Sequence, residues 1–185
     1  MKTDFSTFKD EVSPGFIRKF RYLIWLLIAN LIFLSNIPYP NVLKVVILRI
    51  FGAKVGQNVV IKPWVKIKFP WNLSLGDHVW LGEEVWIDNI SNVSIQSHVC
   101  ISQGAFLLTG NHNFSKSHFP LISKPITIED GVWVCAKAIV TGGVTLRTHS
   151  VLSLGCIATK DLESYYIYGN FPLEKIKPRT ISTHE

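Results

Sequence analysis

Ile128-Glu-Asp-Gly-Val-Trp133, Val134-Cys-Ala-Lys-Ala-Ile139, Val140-Thr-Gly-Gly-Val-Thr145: in this stretch an aliphatic residue returns at every sixth position. The beat continues at Leu146, Leu152 and, more weakly, Ala158. Four places after each beat stands a small or β-branched residue: Val132, Ala138, Val144, Ser150, Cys156. A fixed short period means one structural unit stacked on itself, so it is read before any local helix or strand. Upstream the beats fall at Val55, Ile61, Ile67, Leu75, Leu81, Ile87, Ile95, Ile101 and Leu107, in steps of 6, 6, 8, 6, 6, 8, 6, 6. Three short faces, with one corner two residues longer, predict a triangular parallel β-solenoid in which each strand pairs with those one coil above and below. A narrow prism also accounts for the small column, which upstream reads Val59, Val65, Val79, Val85, Val99, Ala105. Gly56, Gly76 and Gly82, each just after a beat, predict sharp turns of the backbone.

The pattern breaks where the next long corner is due. Residues 109–125 carry no beat and two prolines, and the register resumes at Ile126 and Ile128. A long excursion at a solenoid corner is a place for function. Stacking predicts that Asp88 and Asn89 lie one coil below the residues after Leu107, so that they share a corner with the base of this loop.

Around this core, the chain of 185 residues is 48% hydrophobic and 17% charged, which excludes disorder. The net charge of +6 is scattered, with no run of five basic residues and no recognition-helix pattern, so nucleic acid is not the expected partner. An anionic small ligand or an acidic membrane surface suits it as well. Cys100, Cys135 and Cys156 are too few and too irregularly spaced for a disulfide framework or a zinc site, and Cys156 falls in the inward column. A reducing, cytoplasmic compartment is expected.

Residues 22–37 are free of charge but shorter than the roughly 20 residues of a membrane span, and they include Asn30, Ser35 and Asn36. A signal peptide is disfavoured by Asp4, Asp10 and Glu11 and by the lack of a small-x-small cleavage site. With the amphipathic run 42–51 beyond Pro38-Tyr-Pro40, the segment predicts two helices packed on the end of the repeat domain. The alternative is peripheral membrane contact through residues 16–51 at the inner face of the membrane, with Tyr22 and Trp25 at the headgroup boundary. The expected divisions are a helical segment 1–52, a solenoid 53–163 and a tail 164–185.

Of six histidines, His78, His98 and His149 each sit three residues after a beat, a turn position facing solvent, and His78 and His98 are one coil apart and able to stack. His184 is in the tail. His112 follows Thr109-Gly-Asn beside the rigid corner; a histidine there, with one ring nitrogen held by a backbone carbonyl, suits a general base. His118 lies deeper in the loop.

These residues resemble the hexapeptide-repeat acyltransferases. The likeness rests on the six-residue units, on Thr109-Gly-Asn-His112, on Ile128-Glu-Asp-Gly-Val-Trp-Val-Cys-Ala-Lys-Ala138 and on Thr159-Lys-Asp161. It is strongest toward bacterial sugar O-acetyltransferases of the maltose, galactoside and nodulation-factor group and the colanic-acid type, through Gly76-Asp-His-Val-Trp-Leu-Gly-Glu-Glu-Val-Trp-Ile-Asp-Asn89 and Val99–His112. The resemblance implies a left-handed parallel β-helix assembled as a homotrimer, with acetyl-CoA as co-substrate between subunits, a sugar acceptor and no metal. It assigns His112 as catalytic base. Asp88, Asn89 and Trp133 would meet the acceptor; Ala136, Leu154, Gly155, Thr159, Lys160 and Lys175 would meet the cofactor, with the Ala136 N–H as oxyanion donor. Three departures stand out: Gly169-Asn-Phe-Pro172 in place of Gly-Asn-Pro, which blurs the alignment of Lys175, Lys177 and Arg179; Arg147 where a glycine is usual; and Thr141-Gly142-Gly143 lacking a proline. Two other readings of the same solenoid are a non-catalytic trimeric scaffold and a zinc carbonic anhydrase, which would need three converging histidines where the loop supplies His112 and His118.

Overall fold

The computed structural model describes Ser6, residues 16–169 and residues 174–178. The six-residue beat becomes strand register. Val55 pairs with Leu75, Leu75 with Ile95, Ile95 with Ile128 and Ile128 with Leu146, all in parallel. These pairings belong to face A, built from Lys54–Val55, Leu73–Leu75, Val93–Ile95, Ile126–Ile128 and Thr145–Leu146. Face B stacks Val60–Ile61, Trp80–Leu81, Cys100–Ile101, Trp133–Val134, Val151–Leu152 and Tyr166–Gly169, with Glu174–Pro178 added antiparallel at its end. Face C stacks Lys66–Ile67, Trp86–Asp88, Phe106–Leu108, Ile139–Thr141 and Ile157–Ala158. The chain is a triangular parallel β-helix, as the 6, 6, 8 rhythm predicts. Beat residues and the small column fill the prism: Leu81, Val85, Ile87, Ala105, Leu107, Val134, Ala138 and Val140 are all fully buried.

The corners correct one expectation. The left-handed backbone position is the third residue after a beat, not the first: Asn58, Trp64, His78, Glu84, His98, Lys137 and His149 all have φ between +52° and +62°. Gly56, Gly76 and Gly82 are absent from that set and serve another purpose. A Cβ on Gly76 would stand 2.7 Å from the backbone of Gln96 and Ser97, and one on Gly82 2.7 Å from the backbone N of Gln103. These glycines let successive coils approach. At the turn position His78 and His98 are exposed and stack at 4.9 Å, while His149 is half-buried and stacks on Tyr165 at 5.1 Å.

Helices α1 (Phe16–Ile28), which runs into a π-helical turn at Ala29–Phe33, and α2 (Asn41–Ile50) cap the first coil. A solenoid end exposes carbonyls with no strand beneath them, and buried carbonyls need donors. One helical side chain serves each face. Arg49 donates to Val55 O of face A at 2.7 Å, Lys44 to Ile61 O of face B at 2.8 Å, and Trp25 Nε1–H to Ile67 O of face C at 2.8 Å. Trp25 and Lys44 are buried in the process. Trp25 is therefore not at a headgroup boundary, and Tyr22 packs on Phe69 at 5.2 Å. No helix among the described residues is long and apolar enough to cross a membrane.

The excursion at 109–125 is also more regular than expected. Gly110–His112 and Leu121–Ser123 pair antiparallel, His112 opposite Leu121, so the loop leaves the C–A corner as a short β-hairpin.

Candidate active site

The hairpin is seated by its first residue. Buried Thr109 donates its hydroxyl to Asp88 O at 2.9 Å and accepts from Ser91 N at 3.1 Å, tying the hairpin base to the coil below. On the other side a Cβ on Gly142 would lie 2.6 Å from Thr109 O, so glycine there makes room for the hairpin. The expected stacking is present: Asp88 pairs with Leu108 one coil apart.

His112 is fixed from two directions. Its Nδ1 lies 3.0 Å from Phe119 O, and its ring stacks on the Phe119 ring at 4.5 Å and 10°. With Nδ1–H donating to that carbonyl, the neutral imidazole carries its basic lone pair on Nε2. Phe119 accepts an unfavourable φ of +47° to present both groups. The sequence carried no signal for it beyond its seven-residue distance from His112. Lys68 was also missed: its ammonium lies 2.8 Å from Asp88 Oδ1 as an ion pair without hydrogen-bond alignment.

Asn89 is placed differently from the acceptor-binding reading. It is fully buried, accepts from Phe69 N at 2.9 Å and donates to Phe69 O at 2.7 Å. A carboxamide bonded on both sides fastens the long corner to the coil below, while the Asp88 carboxylate lies against Lys68 of that same coil. A cleft of about 390 Å³ opens at the base of the hairpin, lined by Thr109, Asn111, Ile122, Lys124, Thr141 and Thr159 among others, with His112 and Asp88 outside its lining. Lys160 follows, exposed.

A second group of candidates gathers elsewhere. Trp133 is half-exposed on face B, with Nε1–H donating to Ser102 Oγ at 2.9 Å. Ala136 turns the B–C corner just beyond it, and Gly155 N donates to Ala136 O at 3.0 Å, so Leu154 and Gly155 stack directly on Ala136. The Ala136 amide differs from its counterparts at the A–B corner. There the same N–H is capped by the side chain one coil on: Gln57 by Asp77, Asp77 by Ser97, Ser97 by Asp130, at 2.7 to 3.1 Å. Above Ala136 stands Leu154, whose side chain has no acceptor, and among the described residues no group accepts from Ala136 N. The amide is thus available to an incoming oxygen.

Face C separates the two groups within one chain: His112, Asp88 and Thr159 border the C–A corner, and Trp133, Ala136, Leu154 and Gly155 border the B–C corner. Lys175 lies apart from both in sequence-distant strand Glu174–Pro178, its amine 2.6 Å from Glu163 Oε2 and 4.0 Å from the Tyr166 ring centroid. The Glu163 hydrogen bond raises its pKa. The departure at Asn170 to Pro172, Arg179 and His184 lie outside the described residues. No group of three or more His, Cys, Asp or Glu side chains poised for a metal occurs among the described residues.

Comparison with known proteins gives this arrangement a family. WcaF of Escherichia coli K12, named as a colanic acid biosynthesis acetyltransferase, is 36% identical over 143 residues, 76% of this chain and 79% of WcaF. The hexapeptide-repeat acetyltransferase VCA0836 of Vibrio cholerae O1 biovar eltor, solved with acetyl-CoA, has a TM-score of 0.81 at 20% identity, over 92% of this chain and 93% of that one. The chain belongs to the hexapeptide-repeat acetyltransferases. Within them, the galactoside O-acetyltransferase of Escherichia coli K12 is 28% identical over 128 residues, 68% of this chain and 63% of that protein. No protein-family model matches the chain. The coil is the left-handed β-helix of the hexapeptide-repeat acetyltransferases, and the resemblance read from the Thr109–His112 and Ile128–Ala138 motifs holds.

Proposed function

We propose that this acetyltransferase moves the acetyl group of acetyl-CoA to a hydroxyl of a sugar, in a surface polysaccharide or its lipid-linked precursor. The observation that carries the reading is His112, oriented through Nδ1 by Phe119 O at the seat of the hairpin. In the proposed reaction Nε2 takes the acceptor hydroxyl proton as that oxygen attacks the thioester carbon. The tetrahedral oxyanion is met by the Ala136 N–H, the kind of fixed donor that contributes most to acyl transfer. Collapse breaks the C–S bond, and the proton on His112 passes to the departing CoA sulfur. No acyl-enzyme forms.

His112 and Ala136 lie on different corners of one chain, so the reading requires them to come from neighbouring subunits of a homotrimer. The outward side chains fit that requirement. Face A presents Ser74, Ser94, Thr127 and Thr145, whereas face B presents Trp80 and Trp133 and face C presents Trp86, Phe106 and Ile139. Acetyl-CoA would lie between face B of one subunit and the hairpin of the next, with Thr159 and Lys160 near its distal end and Asp88 and Trp133 toward the acceptor. Residues 16–51 would hold the enzyme at the cytoplasmic face of a membrane, where a lipid-linked acceptor is presented.

The test is CoA release from acetyl-CoA against a panel of sugars and nucleotide sugars, with wild type and His112→Ala. The variant should keep its fold and lose about 100-fold or more of the transfer rate, the scale of general-base loss. An unchanged rate would sink the mechanism, and no transfer to any acceptor by wild type would favour the scaffold reading.

A further inference from the structure

Both N-terminal helices are apolar on the side that faces away from the protein. Helix α1 buries Trp25 and, through its π-helical turn, Ala29 and Phe33 against the first coil, yet Phe20, Leu23, Leu27 and Leu31 repeat at helical spacing on the other side and are 58–73% exposed. Helix α2 is inverted. Its lysine, Lys44, is 3% exposed, while Val42 and Ile50 are 74% and 73% exposed and Val46 lies between them. Burial and the neighbouring Lys62 lower the Lys44 pKa, so hiding this ammonium carries a penalty. A helix surrounded by water would gain by exposing the lysine and burying the valines. Outward apolar faces of this kind on two helices mark an interaction site.

The charge of the same region selects the occupant. Between Glu11 and Asp77 the chain has no acidic residue, and residues 16–51 carry five lysines and arginines, of which Lys44 is buried. Lys19 on α1 and Lys54 just after α2 are exposed, and Arg49, also exposed, holds its guanidinium on Val55 O and Gly56 O. Two copies of such a surface would bring like charges together, and an acidic headgroup layer would neutralise them.

We infer that α1 and α2 form a monotopic docking surface for a bilayer rich in anionic phospholipid, with the outward Leu, Val and Ile side chains entering the interface and the lysines and arginines meeting phosphate. The helices lie in the plane of the interface and do not span it. This rests on the membrane-contact part of the proposed function and adds the headgroup chemistry and the contacting residues. It is independent of acetyl transfer, so the two can fail separately.

Flotation of the full-length protein with phosphatidylglycerol-containing vesicles, and with phosphatidylcholine vesicles as the neutral control, tests it. Binding to the anionic vesicles is expected, falling several-fold in about 0.5 M salt, where the screening length is only a few ångströms. Leu27→Glu with Ile50→Glu should abolish flotation with acetyl-CoA turnover and oligomeric mass unchanged. Both positions are solvent-facing, and Lys19→Glu with Lys54→Glu gives a second probe that should weaken anionic binding while leaving the apolar face intact. Three results would overturn the inference: no flotation with either vesicle, equal binding to both, or a Leu27/Ile50 variant that changes oligomeric mass and leaves flotation intact, which would make the surface a contact between copies.

Discussion

Cys135 stands one residue before the amide proposed to receive the oxyanion, a place where a thiolate would compete for the acetyl group. Burial first, then the neighbouring Cys100 and Cys156, pushes its thiol up to about 11. The thiolate is the nucleophile, so this environment disfavours Cys135 as a competitor to the proposed direct attack on the thioester. Relative to an ordinary thiol near 9.0 the shift leaves about 100-fold less thiolate at neutral pH. Alkylation of Cys135 by iodoacetamide at pH 7.5, followed by mass spectrometry, should therefore be about 100-fold slower in the folded protein than in urea. Cys135→Ala should retain transfer. An acetyl group found on Cys135 during turnover would replace direct attack with a thioester intermediate.

At the scale of the coil, glycines act in two distinct ways. Gly76 sits where the next coil is closest, and Gly76→Ala drives a methyl to 2.7 Å from the backbone of Gln96 and Ser97. Neither neighbour is a flexible side-chain end, so the coils must separate, at a cost of about 1–3 kcal/mol. In a chain of this size that is a loss of roughly 2–10 °C in Tm by calorimetry. Gly155 has nothing within 4 Å but adopts φ +67°, so Gly155→Ala meets only backbone strain, about 1 kcal/mol. Equal losses at the two sites would mean that coil spacing is not what Gly76 protects. The beat made the faces, the core and the shared C–A corner legible, because inward packing in a solenoid is periodic in sequence. What it could not convey depends on which main-chain group lies across a gap: Trp25, Lys44 and Arg49 each reaching one orphan carbonyl, Asn89 clamped on Phe69, and Phe119 holding His112. Such pairs are fixed by three-dimensional neighbours and leave no period behind. The hairpin at 109–125 was hidden for the same reason, since three paired residues on each side are too short for a pattern.

For the whole molecule, His112 and Ala136 border different corners with face C between them, so the proposed mechanism needs two subunits to build one site. Two variants, each inactive by itself, should then repair one another when mixed within the proposed trimer. His112→Ala damages only the C–A corner. Gly155→Trp fills the open space at the B–C corner beside Leu154, where the cofactor strip is proposed to run, and should block acetyl-CoA without touching the hairpin. In trimers co-expressed at equal levels, each interface draws its two halves independently, so about one in four would join an intact hairpin to an intact B–C corner. Activity should return to about a quarter of wild type, although each variant alone stays near zero. The measurement is CoA release by tandem-tagged mixed trimers, with subunits mixed only after folding as the control. If the active site were built within a single chain, every subunit in the mixture would carry one lesion and nothing would be restored. The outcome therefore separates a shared site from a self-contained one, independently of which sugar the enzyme acetylates.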